Sequence, residues 1–252
     1  MRNSYTLTMR IAVVSDIHAN LVAFDAVLRH AGEIDGVWNT GDAVGYGPQP
    51  SEVINRLREL DAVWVAGNHE RAATGAISTE DFNEGAAAAA HWTRDRLSDA
   101  EKSGLDALPE TCETAGCVLV HGTLRDPIWE YLAGRYSAEA HLALMPVRIG
   151  FVGHTHIPLL IREDPEDDDG FEFIRMRDGD SYDLRGEHKF VLNAGSVGQP
   201  RDDDPRASYG IFDTDALTFT LHRVDYDIKT TQKLMADEDL PLWLIQRLSS
   251  GR

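Results

Sequence analysis

Residues 10–20 read RIAVVSDIHAN, and the order of residues in this stretch decides the fold. Arg10 to Ser15 is short, apolar and β-branched, which predicts a buried strand. Asp16 and His18 follow at once. Asn20 can then cap LVAFDAVLRHA, whose apolar residues recur at helical spacing. The pattern repeats outward from there. GVWNTGD, from Gly36, predicts a second strand ending in a tight turn, and Ser51 can cap the helix EVINRLREL. AVWVAGNHE, from Ala62, predicts a third strand ending in a polar loop. This β-α-β-α-β order implies a parallel sheet with helices packed on it.

Further along, residues 79–108 look helical, with an alanine run at 86–90 that lets two elements approach closely. Cys117 to His121 predicts another strand, 136–144 a short helix, and Arg148 to Val152 a strand that ends in GHTH. From Ile157 the texture changes. IPLLIRE, FEFIRMR, KFVLN, ASYGIFD and ALTFTLHR are separated by Gly, Asp and Pro turns, which predicts an antiparallel section. The acidic connection EDPEDDDG at 163–170 lacks the spacing of a calcium loop and reads as a solvated hairpin tip. From Asp227 one or two helices are expected around LPLWLIQRL, with an apolar face that packs on the core or on a second subunit. There is no internal repeat and no flexible linker. One domain is expected over 1–252, with its core at 10–224 and a helical tail at 227–252.

The 252 residues are enough to bury a substantial core, and 42% hydrophobic with 26% charged residues is ordinary globular composition. A formal charge of −18 repels polyanions, which argues against general nucleic-acid binding. It leaves room for a small phosphorylated substrate, because bound cations reverse the local sign. No apolar run reaches the length of a membrane span, and Met1 to Thr8 lacks the apolar stretch of a secretory signal. A cytoplasmic protein without membrane contact is expected. Cys112 and Cys117 have neither zinc-ribbon nor redox spacing, so a metal would bind through nitrogen and oxygen.

The chemistry-bearing residues sit at predicted strand ends. Asp16 and His18 follow the first strand, Asp42 the second, and Asn68 and His69 the third. His121 ends the fourth, and His154 and His156 follow the fifth. Ligands of open α/β sheets bind beyond the carboxyl ends of the strands, so these eight residues converge on one edge. The other histidines, His30, His91, His141, His188 and His222, have no such company and read as surface or core residues. Imidazoles, carboxylates and an amide oxygen suit divalent Mn, Fe, Co, Ni or Zn. Two ions about 3.5–4 Å apart, sharing one carboxylate, would use so large a set.

SDIHAN, NTGDAVGYG, AGNHE, VHG and GHTH, in this order, resemble the five blocks of the calcineurin-like metallophosphoesterases. The resemblance spans residues 11 to about 213 and implies an α/β fold, a four-layer α/β/β/α sandwich of two packed mixed sheets. It implies that Asp16, His18 and His156 hold one metal, that Asn68, His121 and His154 hold the other, and that Asp42 bridges them. His69 would face the substrate as the catalytic residue that assists departure of the leaving group. Glu70 stands where many members have Asp beside that histidine. The GYGPQP stretch and NAGSVGQPRDDDPRASY at 193–209 are similar to small bacterial and archaeal phosphodiesterase-like members.

The 193–198 loop then has two readings, phosphate or leaving-group contact by Ser196 and Arg201, or a brace for the metal loops. Tyr46 would stack on a base or aryl group, or anchor its loop. Arg125 and Arg135 are weaker candidates for phosphate contact. The expected reaction is hydrolysis of a phosphate ester by a hydroxide held between two divalent ions, with manganese favoured. A phosphodiesterase of nucleotides or small diesters is expected first. A phosphomonoesterase or phosphoprotein phosphatase, and an inactive scaffold of the same fold, are the alternatives.

Overall fold

Residues alternate in direction along a strand, and in the first strand both faces are apolar. Ile11 and Val13 point one way and Ala12 and Val14 the other, and all four are buried. A strand of this kind needs cover on each side, which is the origin of the layered architecture. A computed structural model describes residues 9–164, 166–167 and 170–252.

The chain runs β1 (Arg10–Val14), α1 (Leu21–Ala31), β2 (Gly36–Asn39), α2 (Pro50–Glu59), β3 (Val63–Trp64), α3 (Asn68–Thr74), α4 (Glu84–Arg96) and α5 (Asp99–Asp106). It continues with β4 (Thr111–Thr114), β5 (Cys117–Val120), α6 (Arg135–Leu144), β6 (Ile149–Val152), β7 (Leu159–Glu163) and β8 (Phe171–Arg175). The last elements are β9 (Ser181–Asp183), β10 (Phe190–Asn193), β11 (Ala207–Asp213), β12 (Thr218–Val224), α7 (Ile228–Asp237) and α8 (Leu242–Arg247).

Two six-stranded mixed sheets form, in the orders β3-β2-β1-β11-β12-β9 and β4-β5-β6-β10-β7-β8. Between them lies the main core, where Ile11, Val13, Trp38, Phe212 and Phe219 meet Leu119, Phe151, Leu160 and Leu192. Ala12, Val14 and Val37 face α1 and α2 through Phe24, Val27, Val53 and Leu57. Val118, Val120 and Val191 face α6 through Ala138 and Leu142. Each fully buried large apolar side chain contributes about 1.5–3 kcal/mol. The layers are therefore α/β/β/α, as the family resemblance implies.

Local signals place the helices. The Asn20 side chain accepts from Ala23 N at 3.2 Å to start α1, and Gly32 ends it with φ 66°. Ser98 and Glu101 form a reciprocal cap on α5. The predicted helical stretch 79–108 is two helices, α4 and α5, because Ser98 caps a new start. The predicted polar loop after β3 is the first turn of α3, since Glu70 accepts from Gly67 N at 2.7 Å and caps it.

The section after Ile157 is not wholly antiparallel: β10 pairs with β6 in parallel and with β7 antiparallel. The acidic stretch at 163–170 falls partly outside the described residues, and β7 and β8 on either side of it pair antiparallel. The tail folds back on its own chain. Met235, Leu240, Leu244 and Leu248 pack with Tyr46, Ala86 and Ala89, while Leu242 and Trp243 stay exposed. No helix among the described residues is long and apolar enough to cross a membrane.

Candidate metal centre

Strands β1 and β2 pair in parallel, as do β5 and β6, so the carboxyl ends of each pair open on the same side. The loops that leave these ends are laced together. Asp16 N donates to Gly41 O at 3.0 Å, His18 N to Asp42 O at 2.9 Å, and Gly153 N to His121 O at 2.9 Å. The lacing forces unusual backbone. Asp16, His18, Asp42, His154 and His156 all have positive φ, between 48° and 66°. Left-handed backbone at five non-glycine residues is strain concentrated at one place.

These residues form two adjoining clusters that share Asp42. Asp16, His18, Asp42 and His156 lie together, as do Asp42, His121 and His154, with ligand atoms within 4.8 Å of one another in each group. Asn68 Oδ1 joins the second at 3.1 Å from His121 Nε2. All of them are buried.

The orientation of the rings decides what the clusters can bind. His18 Nδ1 lies 3.1 Å from Val44 O, His121 Nδ1 2.9 Å from Thr40 O, and His156 Nδ1 2.6 Å from Gln199 O. His154 uses its other nitrogen, Nε2, at 3.1 Å from Trp129 O. A carbonyl only accepts, so each outer nitrogen carries the proton. The inner nitrogens are then lone pairs, and they face one another: His18 Nε2 to His156 Nε2 at 3.2 Å, His121 Nε2 to His154 Nδ1 at 3.0 Å. Asp16 Oδ1, which has no hydrogen-bond donor among the described residues, faces the same lone pairs, 3.2 Å from His156 Nε2 and 3.8 Å from His18 Nε2. Two lone pairs at such distances repel unless a cation lies between them. Nitrogen and oxygen donors of this kind fit a borderline divalent ion. Carbonyl partners on the outer nitrogens are the usual means of orienting imidazole ligands.

The electrostatics agree. Burial lowers the pKa of His18, with His69 and His156 adding to it, and burial takes His154 down to about 3. Both stay neutral and able to ligate. Burial works against the charge on Asp42, yet His121 and His69 outweigh it and hold the carboxyl well below its usual range. Asp16 is likewise lowered: burial opposes ionisation, but His156 overcomes it. For His121, burial again opposes charge, but Asp42, 3.2 Å away, pushes the pKa up to about 9.

His69 stands beside the clusters rather than in them. Its backbone N donates to Asp42 Oδ1 at 2.9 Å, and its ring packs on Tyr46 and Phe82 at 4.4 and 5.1 Å between centroids. Burial lowers its pKa to about 4. The Glu70 side chain turns to the backbone and not to the His69 ring. Its carboxylate accepts from the backbone of Gly67, Asp42 and Val44, which ties α3 to the Asp42 loop.

The expected substrate contacts divide. Ser196 faces inward and is fully buried: its Oγ donates to Asp16 O at 2.8 Å and accepts from Gln199 N at 2.8 Å. That hydroxyl braces the Asp16 loop and is not presented to a substrate. Asn193 adds to the brace by donating to Gly153 O at 2.7 Å. Tyr46 is only 6% exposed and packs on His18 and His69, so it anchors its loop and has little free face for stacking. Arg201 donates to Gln199 Oε1 at 3.0 Å and lies 5.9 Å from the Tyr46 ring. Arg125 pairs with Glu130, and Arg135 with Glu139 at 3.0 Å, so both are engaged at the surface. Sequence reasoning missed Phe82, Trp129 and Tyr131, which line the cleft over Asn68, His69 and His154. They come from two unrelated loops, and no local pattern links them.

The family model for the calcineurin-like phosphoesterase superfamily domain matches residues 9–217. An uncharacterised protein of Methanocaldococcus jannaschii is 36% identical over 249 residues, 96% of this chain and 98% of that protein. The crystal structure of a metallophosphoesterase from Sphaerobacter thermophilus is 42% identical, with a TM-score of 0.89 over 97% of this chain and 100% of its own. A hypothetical protein of Pyrococcus horikoshii OT3, 21% identical, shares the fold with a TM-score of 0.76 over 96% and 98% of the two chains. Fold, ordered motifs and relatives agree, and this chain belongs to the calcineurin-like phosphoesterase superfamily.

Proposed function

We propose that this protein is a divalent-metal-dependent phosphodiesterase acting on nucleotides or similar small diesters. Asp16, His18 and His156 would hold one ion, Asn68, His121 and His154 a second, and Asp42 would touch both. The observation that carries this reading is the pairwise facing of imidazole lone pairs, 3.0 and 3.2 Å apart, with every outer nitrogen fixed on a backbone carbonyl. Manganese is the ion favoured among those that suit the donor set. When bound, such ions neutralise phosphoryl charge and lower the pKa of a coordinated water.

The chain's own residues supply the rest. The strained loops fix the donors in place, so little reorganisation is needed when substrate arrives. His69, held through its backbone on Asp42 and wedged between Tyr46 and Phe82, offers an imidazole N–H to the departing oxygen. The diesterase preference is supported by the cleft beside His69, about 200 Å³ in volume. It has room for a second substituent, and its lining holds neither lysine nor arginine, which suits a monoanionic diester better than a dianionic monoester. The complete set of expected ligand positions argues against an inactive scaffold.

The test compares hydrolysis of bis- and mono-p-nitrophenyl phosphate by chelator-treated protein reloaded with Mn²⁺. The diester should react faster, and His69→Asn should lower its kcat by about 10²–10⁴-fold. Faster monoester hydrolysis would make the protein a phosphomonoesterase, phosphoprotein phosphatases included. Full activity in His69→Asn would remove that residue from the chemistry.

A further inference from the structure

The cleft that opens from the candidate centre has a composition of its own. Phe82, from the loop between α3 and α4, meets Trp129, from the loop between β5 and α6, edge to face at 5.4 Å between centroids. Phe82 also meets the His69 ring at 5.1 Å. Tyr131 lies flat on His154, with centroids 4.0 Å apart and planes 10° apart. The rings therefore form a near-continuous wall from His69 outward. Tyr131 is 50% exposed, although it is a large aromatic side chain placed directly over buried histidines. Trp129 is half-buried, and its backbone carbonyl is the partner of His154 Nε2. The remaining rim is polar, from Asp81 and Asn83.

Aromatic rings grouped at a site's mouth, partly exposed and in a cleft lined by neither lysine nor arginine, are a stacking platform. They do not serve the main core, which lies between the sheets. A second phosphate would meet no positive side chain in this lining and would face Asp81. A planar, uncharged ring meets apolar faces, with acceptors at the rim for its exocyclic N–H groups or for sugar hydroxyls.

We propose that the Phe82–Trp129–Tyr131 cleft binds a nucleobase, so that the substrate is a nucleoside ester with a single phosphate at the imidazole clusters. This rests on the phosphoesterase reading for the position of the phosphate, and it adds the residues that hold the base and set the preference for a nucleoside. Trp129 and Tyr131 are specificity residues. Neither needs to enter the reaction, and side-chain truncation at Trp129 keeps the carbonyl that orients His154.

The probe is a pair of non-hydrolysable methylenephosphonates, the analogues of adenosine monophosphate and of ribose phosphate, titrated calorimetrically into Mn²⁺-loaded protein. The adenosine analogue should bind about tenfold or more tighter than the ribose one. Trp129→Ala and Tyr131→Ala should each erase most of that ratio, whatever they do to the absolute affinities, while Trp129→Phe and Tyr131→Phe restore it. Equal binding of the two analogues by the wild type, or a ratio unmoved in both alanine variants, would overturn the proposal. Because binding is read directly, the result stands apart from catalysis. A protein that prefers the adenosine analogue but hydrolyses no ester keeps the cleft assignment and loses the phosphoesterase one.

Discussion

Three backbone N–H groups, those of Gly67, Asp42 and Val44, end on the Glu70 carboxylate at 2.7, 2.8 and 3.2 Å. Burial, followed by the nearby Asp42 charge, pushes the Glu70 pKa up to about 7, while the N–H donors pull against it. The residue is thus a clasp between the start of α3 and the loop that carries Asp42. Glu70→Ala would leave buried donors without a partner, at a cost of about 3 kcal/mol or more. Glu70→Gln keeps an acceptor oxygen and should lose less than half as much. Urea unfolding of the chelator-treated protein measures this, and equal losses for both variants would show that a single amide oxygen does not replace the carboxylate. The family resemblance set Glu70, in place of an Asp, beside His69. At the third position of a helix the side chain instead curls back to the cap, a short-range rule that was available in the G-x-x-E spacing.

At the scale of elements, α6 carries a fully buried histidine that serves no site. His141 Nδ1 accepts from Leu124 N at 3.2 Å, and its Nε2 has no hydrogen-bond partner among the described residues. Burial lowers its pKa from 6.5 to about 4, against the pull of Glu130. The folded value lies below the unfolded one, so folding favours the neutral ring. That contribution is complete above pH 6.5 and is lost as pH falls towards about 4. Relative to wild type, His141→Gln should flatten the decline in stability between those values by about 2–3 kcal/mol. Urea midpoints at several pH values check it, and parallel profiles would contradict it.

Elements with a strong pattern were legible in the sequence: helical spacing in α1, an unbroken apolar run in β1 and alternation in β12. Strands β4 and β9 were not. TCET and SYD are short and polar, and each becomes a strand only because a neighbour, β5 or β12, offers a free edge.

At the scale of the molecule, each strand end could be read locally, because an apolar run stops and a polar residue begins. The convergence of those ends also follows from parallel pairing, a general property of β-α-β chains. What could not be read was the order of strands that are distant in sequence. Nothing in KFVLN distinguishes a partner that runs parallel to β6 from one that runs antiparallel, and β10 is both neighbour to β6 in parallel and to β7 antiparallel. The same holds for the aromatic cleft, whose walls are 47 to 49 residues apart in the chain and meet only in the fold. The tail is another such case. Its apolar face finds Tyr46, Ala86 and Ala89, a surface assembled from two separate segments.

The central claim is that facing imidazole lone pairs, with Asp42 shared between them, are built for divalent cations. Calorimetric titration of Mn²⁺ into chelator-treated protein tests it most directly, beside an Asp42→Asn variant shown to be folded by circular dichroism. Saturable binding of two ions per chain is expected, with affinity at least about tenfold weaker in the variant. A folded wild-type protein that takes up no Mn²⁺, or a variant that binds as tightly as the wild type, would contradict it.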